Sequence, residues 1–122
     1  MTAARTVTIE TLDRGRITIP EPSWCTGHEG HPPQYRADTI HSGPALLPAF
    51  SGYELTYAAI AQAPYADRVS RDVHASVSLG EFNRACSPAE LDSLAAVLVE
   101  HAAQLRAMAR TLAVLLARGE GQ

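Results

Sequence analysis

The sequence predicts an α+β domain, in which an antiparallel β-meander of about five or six short strands precedes one long C-terminal α-helix. Two observations lead to this fold class. Residues 5–86 alternate β-patterned segments with turns rich in glycine and proline, whereas the segment 88–118 has no helix breaker after its first residue. The length of 122 residues suits one core, so residues 1–122 are interpreted as a single domain.

The chain opens with a predicted β-hairpin. Residues 5–12, RTVTIETL, and residues 16–20, RITIP, both alternate apolar with polar side chains, which is the period of a half-buried strand. Between them, Asp13 and Gly15 are residues that tolerate the left-handed backbone of a short hairpin connection. These segments therefore predict the first two strands.

Three further features complete the β-rich part. A short strand is expected in YRADTIHSG, residues 35–43, and a second hairpin is expected around Ser51 and Gly52. The segment 68–79, RVSRDVHASVSL, has the clearest strand pattern and is expected to bury one apolar face. That face comprises Val69, Val73, Ala75, Val77 and Leu79.

The C-terminal helix is predicted over residues 88–118. Ser87 and Glu90 have the spacing of a capping box, Pro88 suits the first helical position, and Gly119 ends the pattern. An apolar seam runs along the helix, and its length of about 46 Å at 1.5 Å per residue exceeds what strands of about 17 Å can cover. We expect the surplus seam to pack on a second copy, giving a homodimer, or on a partner protein. The interface residues predicted from this seam are Leu91, Leu98, Leu105, Met108 and Leu112. The alternative is that the helix breaks near its alanine-rich middle and folds back as an antiparallel pair.

Composition and charge narrow the classes of function. The chain is 46% hydrophobic and has no uninterrupted apolar run long enough for a membrane span. Its N-terminal residues lack the apolar core of a secretory signal, which predicts a cytoplasmic protein with reduced cysteines. A net charge of -3 argues against nucleic-acid binding, although a dimeric DNA-binding regulator is one alternative.

Residues 21–35 form a predicted loop that concentrates metal-binding residue types. Cys25 and His28 have the Cys-x2-His spacing that lets two side chains of a tight loop bind one zinc ion. His41 follows His28 by thirteen residues, a separation that resembles the gap between ligand pairs in small zinc modules. The predicted metal ligands are therefore Cys25, His28 and His41 with His74. For the fourth position the sequence leaves several candidates open: His31, Asp38, His74, Cys86 and Glu21.

The same loop has three other interpretations. The loop could be a surface segment with a buried Cys25 and incidental histidines, over which Trp24 packs. A metalloprotease motif does not fit, because its histidines must be four residues apart on a helix, whereas His28 and His31 are three apart and precede Pro32-Pro33. A small zinc-dependent or cysteine hydrolase, with a nucleophilic Cys25 beside a histidine, remains the alternative from another class.

The segments TVTIETLDRGRITIPEPSWCTGHEG, RADTIHSGP and RDVHASVSL together resemble a family of small actinobacterial domains of unknown function. Its members carry a Pro-x-Trp-Cys-x-x-His signature, a downstream His-x-Gly-Pro, a late strand and a closing helix. The resemblance implies that Cys25, His28 and His41 are the signature residues. Many members have a further cysteine at the position of Glu21. The function that we predict is a non-enzymatic, zinc-stabilised protein-interaction module.

Overall fold

The computed structural model describes residues 5–80, 82–83 and 85–119. Two predictions include residues outside these ranges. The predicted single domain includes residues 1–4 and 120–122, and the N-terminal segment that lacks a secretory signal pattern also begins with residues 1–4. Antiparallel strands in small sheets precede one long C-terminal helix, so the predicted α+β fold class is confirmed. The seven strands are β1 (Arg5–Thr11), β2 (Gly15–Glu21), β3 (His41–Ser42), β4 (Ala49–Phe50), β5 (Tyr53–Glu54), β6 (Thr56–Gln62) and β7 (His74–Leu79). The helix α1 covers Pro88–Arg118, and a short 3-10 turn covers Arg36–Asp38.

Strands β1 and β2 form the predicted opening hairpin. Ile9 pairs with Ile17 and Val7 with Ile19, so the apolar side chains of both strands lie on one face. Gly15 has a φ of 65°, the left-handed conformation that this turn requires. The register also places the first strand residue, Arg5, opposite the last residue of β2. The hairpin thereby places the positively charged Arg5 beside the end of β2. That strand end precedes the loop of residues 21–35 with Cys25 and His28, which we call the Cys/His loop.

The strands form three small sheets rather than one continuous meander. Their orders are β1-β2, β3-β6-β7 and β4-β5. Strands β3, β4 and β5 have two residues each, and the prolines at 44 and 48 interrupt the chain between them. Within the described part of the chain, β6 alone has a strand on each side, and its residues from Ala58 to Gln62 are all buried. The three-stranded sheet is therefore the centre of the fold.

The expectation for residues 68–79 was wrong in two respects. Strand β7 begins at His74, and Val69 is exposed. The apolar side chains of Val77 and Leu79 are also exposed, by 54% and 80%. Both pair with β6 residues on the face that α1 approaches, but β7 is the edge strand of the sheet and the helix leaves these two side chains uncovered. Val73 alone from this face enters the core.

Helix α1 is continuous over its 31 residues, so the alternative of a helix that folds back on itself was wrong. The predicted capping box is present: the Glu90 backbone N–H donates to Ser87 Oγ at 3.2 Å, and the Ser87 N–H donates to Glu90 Oε1 at 3.0 Å. Gly119 ends the helix in the left-handed conformation, with a φ of 67°. Among the described residues, no helix combines the length and apolarity that crossing a membrane would require.

The core lies between α1 and the three-stranded sheet. Ile60, Val73 and Leu115 form its buried centre, and Met108, Leu112 and Trp24 pack against them. Met108 and Leu112, which were predicted at an interface, thus contact the core of their own chain. Leu105 is half-buried, whereas Leu91 and Leu98 are exposed. Since Trp24 belongs to the Cys/His loop, the core also fixes the position of that loop.

Candidate metal centre

Four potential metal ligands come together where the opening hairpin meets the three-stranded sheet. Glu21 is the last residue of β2, Cys25 and His28 belong to the loop that follows, and His41 is the first residue of β3. Their ligand atoms all lie within 4.8 Å of one another. We call these four residues the Glu/Cys/His cluster. It joins two sheets that are otherwise separate in their hydrogen bonding.

The local backbone explains how the loop presents its ligands. The Cys25 N–H donates to the Pro22 carbonyl at 3.1 Å, which closes a tight turn directly after Glu21. The Thr26 N–H donates to the Ser42 carbonyl at 2.9 Å and so ties the loop to β3 beside His41. Between the two loop ligands, Gly27 adopts a φ of 106°, a conformation that strains any residue with a side chain. This bend turns His28 back towards Cys25.

Three close approaches within the cluster involve one atom, the Nε2 nitrogen of His28. It lies 3.7 Å from Cys25 Sγ, 3.2 Å from His41 Nδ1 and 3.5 Å from Glu21 Oε1. A ring nitrogen carries either one proton or one lone pair, so it cannot satisfy three such neighbours by hydrogen bonding. A cation between the four atoms would satisfy all of them at once.

Burial of the four side chains raises the energetic cost of leaving their polar atoms without partners. His41 and Cys25 are buried, and the side chains of Glu21 and His28 are exposed by only 8% and 9%. Glu21 Oε1 is a buried acceptor without a hydrogen-bond partner among the described residues, which is costly unless another group satisfies it. An orphaned carboxylate oxygen that faces a thiol and two imidazoles is the state expected of a metal ligand.

Groups around the cluster orient its members. The Arg5 guanidinium lies 3.2 Å from Glu21 Oε2 and donates to the Cys25 carbonyl at 2.6 Å, so it holds one carboxylate oxygen and leaves Oε1 to the cluster. The Gly27 N–H lies 3.5 Å from Cys25 Sγ, and the Ser42 backbone also hydrogen-bonds this sulfur. The Pro20 backbone forms a hydrogen bond with the His41 ring. Such outer contacts fix ligand orientation in metal sites.

The electrostatics of the cluster favour the neutral forms of Cys25, His28 and His41. Burial raises the pKa of the Cys25 thiol above its ordinary value, and the nearby Glu21 carboxylate acts in the same direction. Burial lowers the pKa of His28 and of His41, and for His41 the neighbouring His28 lowers it further. At neutral pH both imidazoles therefore have free lone pairs for a metal, whereas the thiol must lose its proton to bind one.

The structure brings three of the predicted ligands together and separates the fourth. His74 lies on β7, with β6 between it and β3; it is exposed, and its Nδ1 lies 3.0 Å from the Asp72 carbonyl. Glu21, one of the candidates left open, completes the group instead. The remaining candidates lie outside it: His31 is exposed in the loop, Asp38 is exposed at the end of the 3-10 turn, and Cys86 precedes α1. The His31 ring contacts the His28 ring edge-on, with centroids 6.0 Å apart.

Sequence reasoning gave no role to Arg5. The signal was present, because counting outward from the Asp13–Gly15 turn pairs Arg5 with Glu21 across the hairpin. The Trp24 ring lies edge-on to His41, with a centroid distance of 6.4 Å. It also reaches the core, which links the cluster to helix α1.

The fold and the cluster define a small α+β domain with a buried site that could hold a metal ion. The chain belongs to the family described as a domain of unknown function, DUF6907, which matches residues 6–114. This match confirms the predicted membership in a family of uncharacterised domains. No curated protein and no solved structure matches the sequence.

Proposed function

We propose that the protein is a non-enzymatic protein-interaction module, stabilised by one zinc ion in the Glu/Cys/His cluster and pairing through helix α1. The observation that carries this proposal is the spacing of the ligand atoms. A tetrahedral zinc site with its usual bond lengths has edges of about 3.6 Å between sulfur and nitrogen, about 3.3 Å between two nitrogens and about 3.4 Å between nitrogen and oxygen. The corresponding distances from His28 Nε2 are 3.7, 3.2 and 3.5 Å.

The donor set supports zinc over the abundant hard cations. Magnesium and calcium take oxygen ligands almost exclusively, whereas a thiolate with two imidazoles and one carboxylate suits zinc. The charges also balance, since the Cys25 thiolate and the Glu21 carboxylate neutralise the two positive charges of the ion. Arg5 then stabilises the carboxylate from outside without entering the site.

Three features support a structural rather than a catalytic role. Four protein ligands fill a tetrahedral site, whereas catalytic zinc keeps one position open for water or substrate. The Cys25 thiol is buried, and burial raises its pKa, which makes it a poor nucleophile in the metal-free protein. A cysteine hydrolase would also need the thiol and the carboxylate on different ring nitrogens of its histidine. Here both approach Nε2 of His28.

In this role the zinc ion cross-links the hairpin to the central sheet. Glu21 belongs to the β1-β2 sheet and His41 to the β3-β6-β7 sheet, and the loop between them has few buried apolar residues. A metal there replaces the hydrophobic contacts that such a loop cannot make. Holding Trp24 against the core supports the helix, whose exposed leucines form the partner surface.

Metal analysis of untagged protein purified without chelators tests the proposal. We expect about one zinc per chain in the wild type and loss of zinc with reduced thermal stability in Cys25→Ser. Cys86→Ser is the matched control, since it makes the same change at the cysteine outside the cluster and should retain zinc. Wild-type protein that is free of metal and as stable as after zinc addition would disprove the proposed site. An unchanged zinc content in Cys25→Ser would also disprove it.

A further inference from the structure

One face of helix α1 is apolar and uncharged, and the rest of the described chain leaves most of it uncovered, apart from Leu112, which packs on the core, and the half-buried Leu105. It combines two rows at heptad spacing, which we call the leucine/alanine face: Leu91, Leu98, Leu105 and Leu112, with Ala95, Ala102, Ala109 and Leu116 four residues after each. Leu91 and Leu98 are exposed by 55% and 46%, and Leu116 and the three alanines are exposed as well. The row on the other side of the leucines packs on the sheet. This face therefore lies beside the core-packing surface of the helix and meets it at Leu112.

The alternation of large and small side chains suits a second helix. Leucine and alanine rows at heptad spacing form a coiled-coil seam in which a leucine of one helix enters the space above an alanine of the other. Small residues at the contact also allow the helix axes to approach closely. A partner with the same two rows would therefore fit, provided that its leucines face these alanines.

The charges on α1 indicate which partner the face binds and in which direction the partner helix runs. Asp92 and Glu100 lie in its N-terminal half, whereas Arg106, Arg110 and Arg118 lie in its C-terminal half. A parallel second copy would place like charges side by side, but an antiparallel one places acidic against basic halves. Asp92 and Arg106 each directly follow a leucine of the face, and among the described residues neither forms an ion pair.

We propose that the leucine/alanine face binds the same face of a second copy of this chain in an antiparallel helix pair, with Asp92 of one copy opposite Arg106 of the other. This arrangement rests on the proposed function, whose interaction surface it specifies. In this register the leucines at 91, 98 and 105 face the alanines at 109, 102 and 95 of the second copy. The exposed Val99 then meets its own counterpart at the two-fold axis.

Sedimentation of the full-length chain tests both the face and the direction. The wild type should have twice the 13.1 kDa chain mass. Asp92→Arg and Arg106→Asp should each weaken dimerisation by about tenfold or more, because each creates two like-charge contacts. An equimolar mixture of the two variants should recover the wild-type affinity, since both cross pairs are then opposite in charge. A parallel pair predicts instead that neither variant weakens the dimer, since each only exchanges one like-charge pair for another, and that the mixture dimerises more tightly than the wild type.

The apolar contact has its own matched variants. Ala102→Glu places a charge at the centre of the face and should abolish the dimer, whereas Ala107→Glu, on the opposite side of the helix, should leave it intact. Circular dichroism checks that both variants remain helical. A wild type that is monomeric at about 100 µM, where weak but specific protein contacts are populated, would overturn the proposal.

Other outcomes separate this proposal from the proposed function. A dimer that resists Ala102→Glu, or a variant mixture that does not recover, would overturn this geometry while leaving homodimerisation in place. Zinc is measured in the same samples. A monomer with about one zinc per chain overturns only the pairing, whereas a metal-free dimer overturns only the metal centre.

Discussion

Replacing Glu21 by glutamine separates a metal ligand from a simple ion-pair partner. The substitution keeps the size of the side chain, removes its charge and replaces one carboxylate oxygen of the cluster with an amide group. Two effects are then expected, and they appear in different states of the protein. One concerns the zinc-bound form, and the other concerns the contact with Arg5 in the metal-free form.

In the zinc-bound form the loss should be large. Mutating an outer-shell partner usually costs 10- to 100-fold in metal affinity, so removal of a ligand should cost at least about 100-fold, or about 2.7 kcal/mol. For a domain of this length, that difference corresponds to a decrease in melting temperature of roughly 10 °C under conditions where the wild type is saturated.

In the metal-free form the loss should be small. The Arg5–Glu21 distance is 3.2 Å, but half of the Arg5 side chain is exposed to solvent, so the pair contributes about 1 kcal/mol or less. The substitution also removes a buried carboxylate oxygen that has no hydrogen-bond partner among the described residues, which offsets part of that loss. We therefore expect the melting temperature without zinc to change by no more than a few degrees.

The assay is thermal unfolding with and without saturating zinc, combined with a competition titration for zinc affinity. Arg5→Gln is the comparison variant, because it removes the same ion pair and keeps the ligand. It should bind zinc no more than about 100-fold more weakly than wild type. If Glu21→Gln and Arg5→Gln lower the melting temperature equally in both states, Glu21 is only an ion-pair partner and the assignment is refuted.

Four further predictions concern proton release, the pH dependence of stability, the buried histidine and the helix start. Zinc binding at pH 7.5 should release about one proton, which comes from the Cys25 thiol. The raised pKa keeps this thiol protonated in the metal-free protein, whereas the lowered pKa values keep His28 and His41 neutral. Calorimetry in buffers of different ionisation enthalpy measures the number of protons released. For the same histidines, the folded-state pKa lies below the usual 6.5, so their contribution to the stability of the metal-free protein should be fully present above pH 6.5 and lost as pH falls through the folded-state pKa. Thr56→Val removes the 2.7 Å hydrogen bond to His101, whose Nδ1 already lacks a partner among the described residues, and should cost about 1–3 kcal/mol in chemical denaturation. Ser87→Ala should cost about 1 kcal/mol by the same measurement, through loss of the capping box. A cost below a few tenths of a kcal/mol at either position would contradict these roles.

The parts of the fold that follow from local sequence were predictable. The hairpin and the helix are specified by residues within a few positions of one another, namely the turn at Gly15 and the capping box at Ser87 and Glu90. The exposure of Val77 and Leu79 was not predictable from sequence. The strand pattern shows which side chains share a face, but it does not show how much of that face a helix covers. The division into three sheets likewise depends on tertiary contacts of two-residue strands.

The candidate site was predictable to the same extent. Cys25 and His28 are close in sequence, and His41 was singled out by its separation from them. Choosing Glu21 over His74 required knowing which strand ends meet. His74 lies on the edge strand, with β6 between it and β3, whereas Glu21 is brought to His41 by the turn and the loop contacts. A sequence pattern does not contain that juxtaposition.

The link between cluster and core makes a last prediction about dynamics. If zinc holds the loop against the central sheet, it should slow hydrogen exchange at the amides that tie them together, such as Thr26 bonded to Ser42 and Gly43 bonded to Ile60. Protection should extend through Trp24 and the core to Met108 and Leu112, the helix residues that pack against the same buried centre. The hairpin turn lies at the far end of β1 and β2 and should change little. Uniform protection of every amide would mean that zinc only shifts global unfolding, and an unchanged helix would mean that Trp24 does not couple the metal centre to α1.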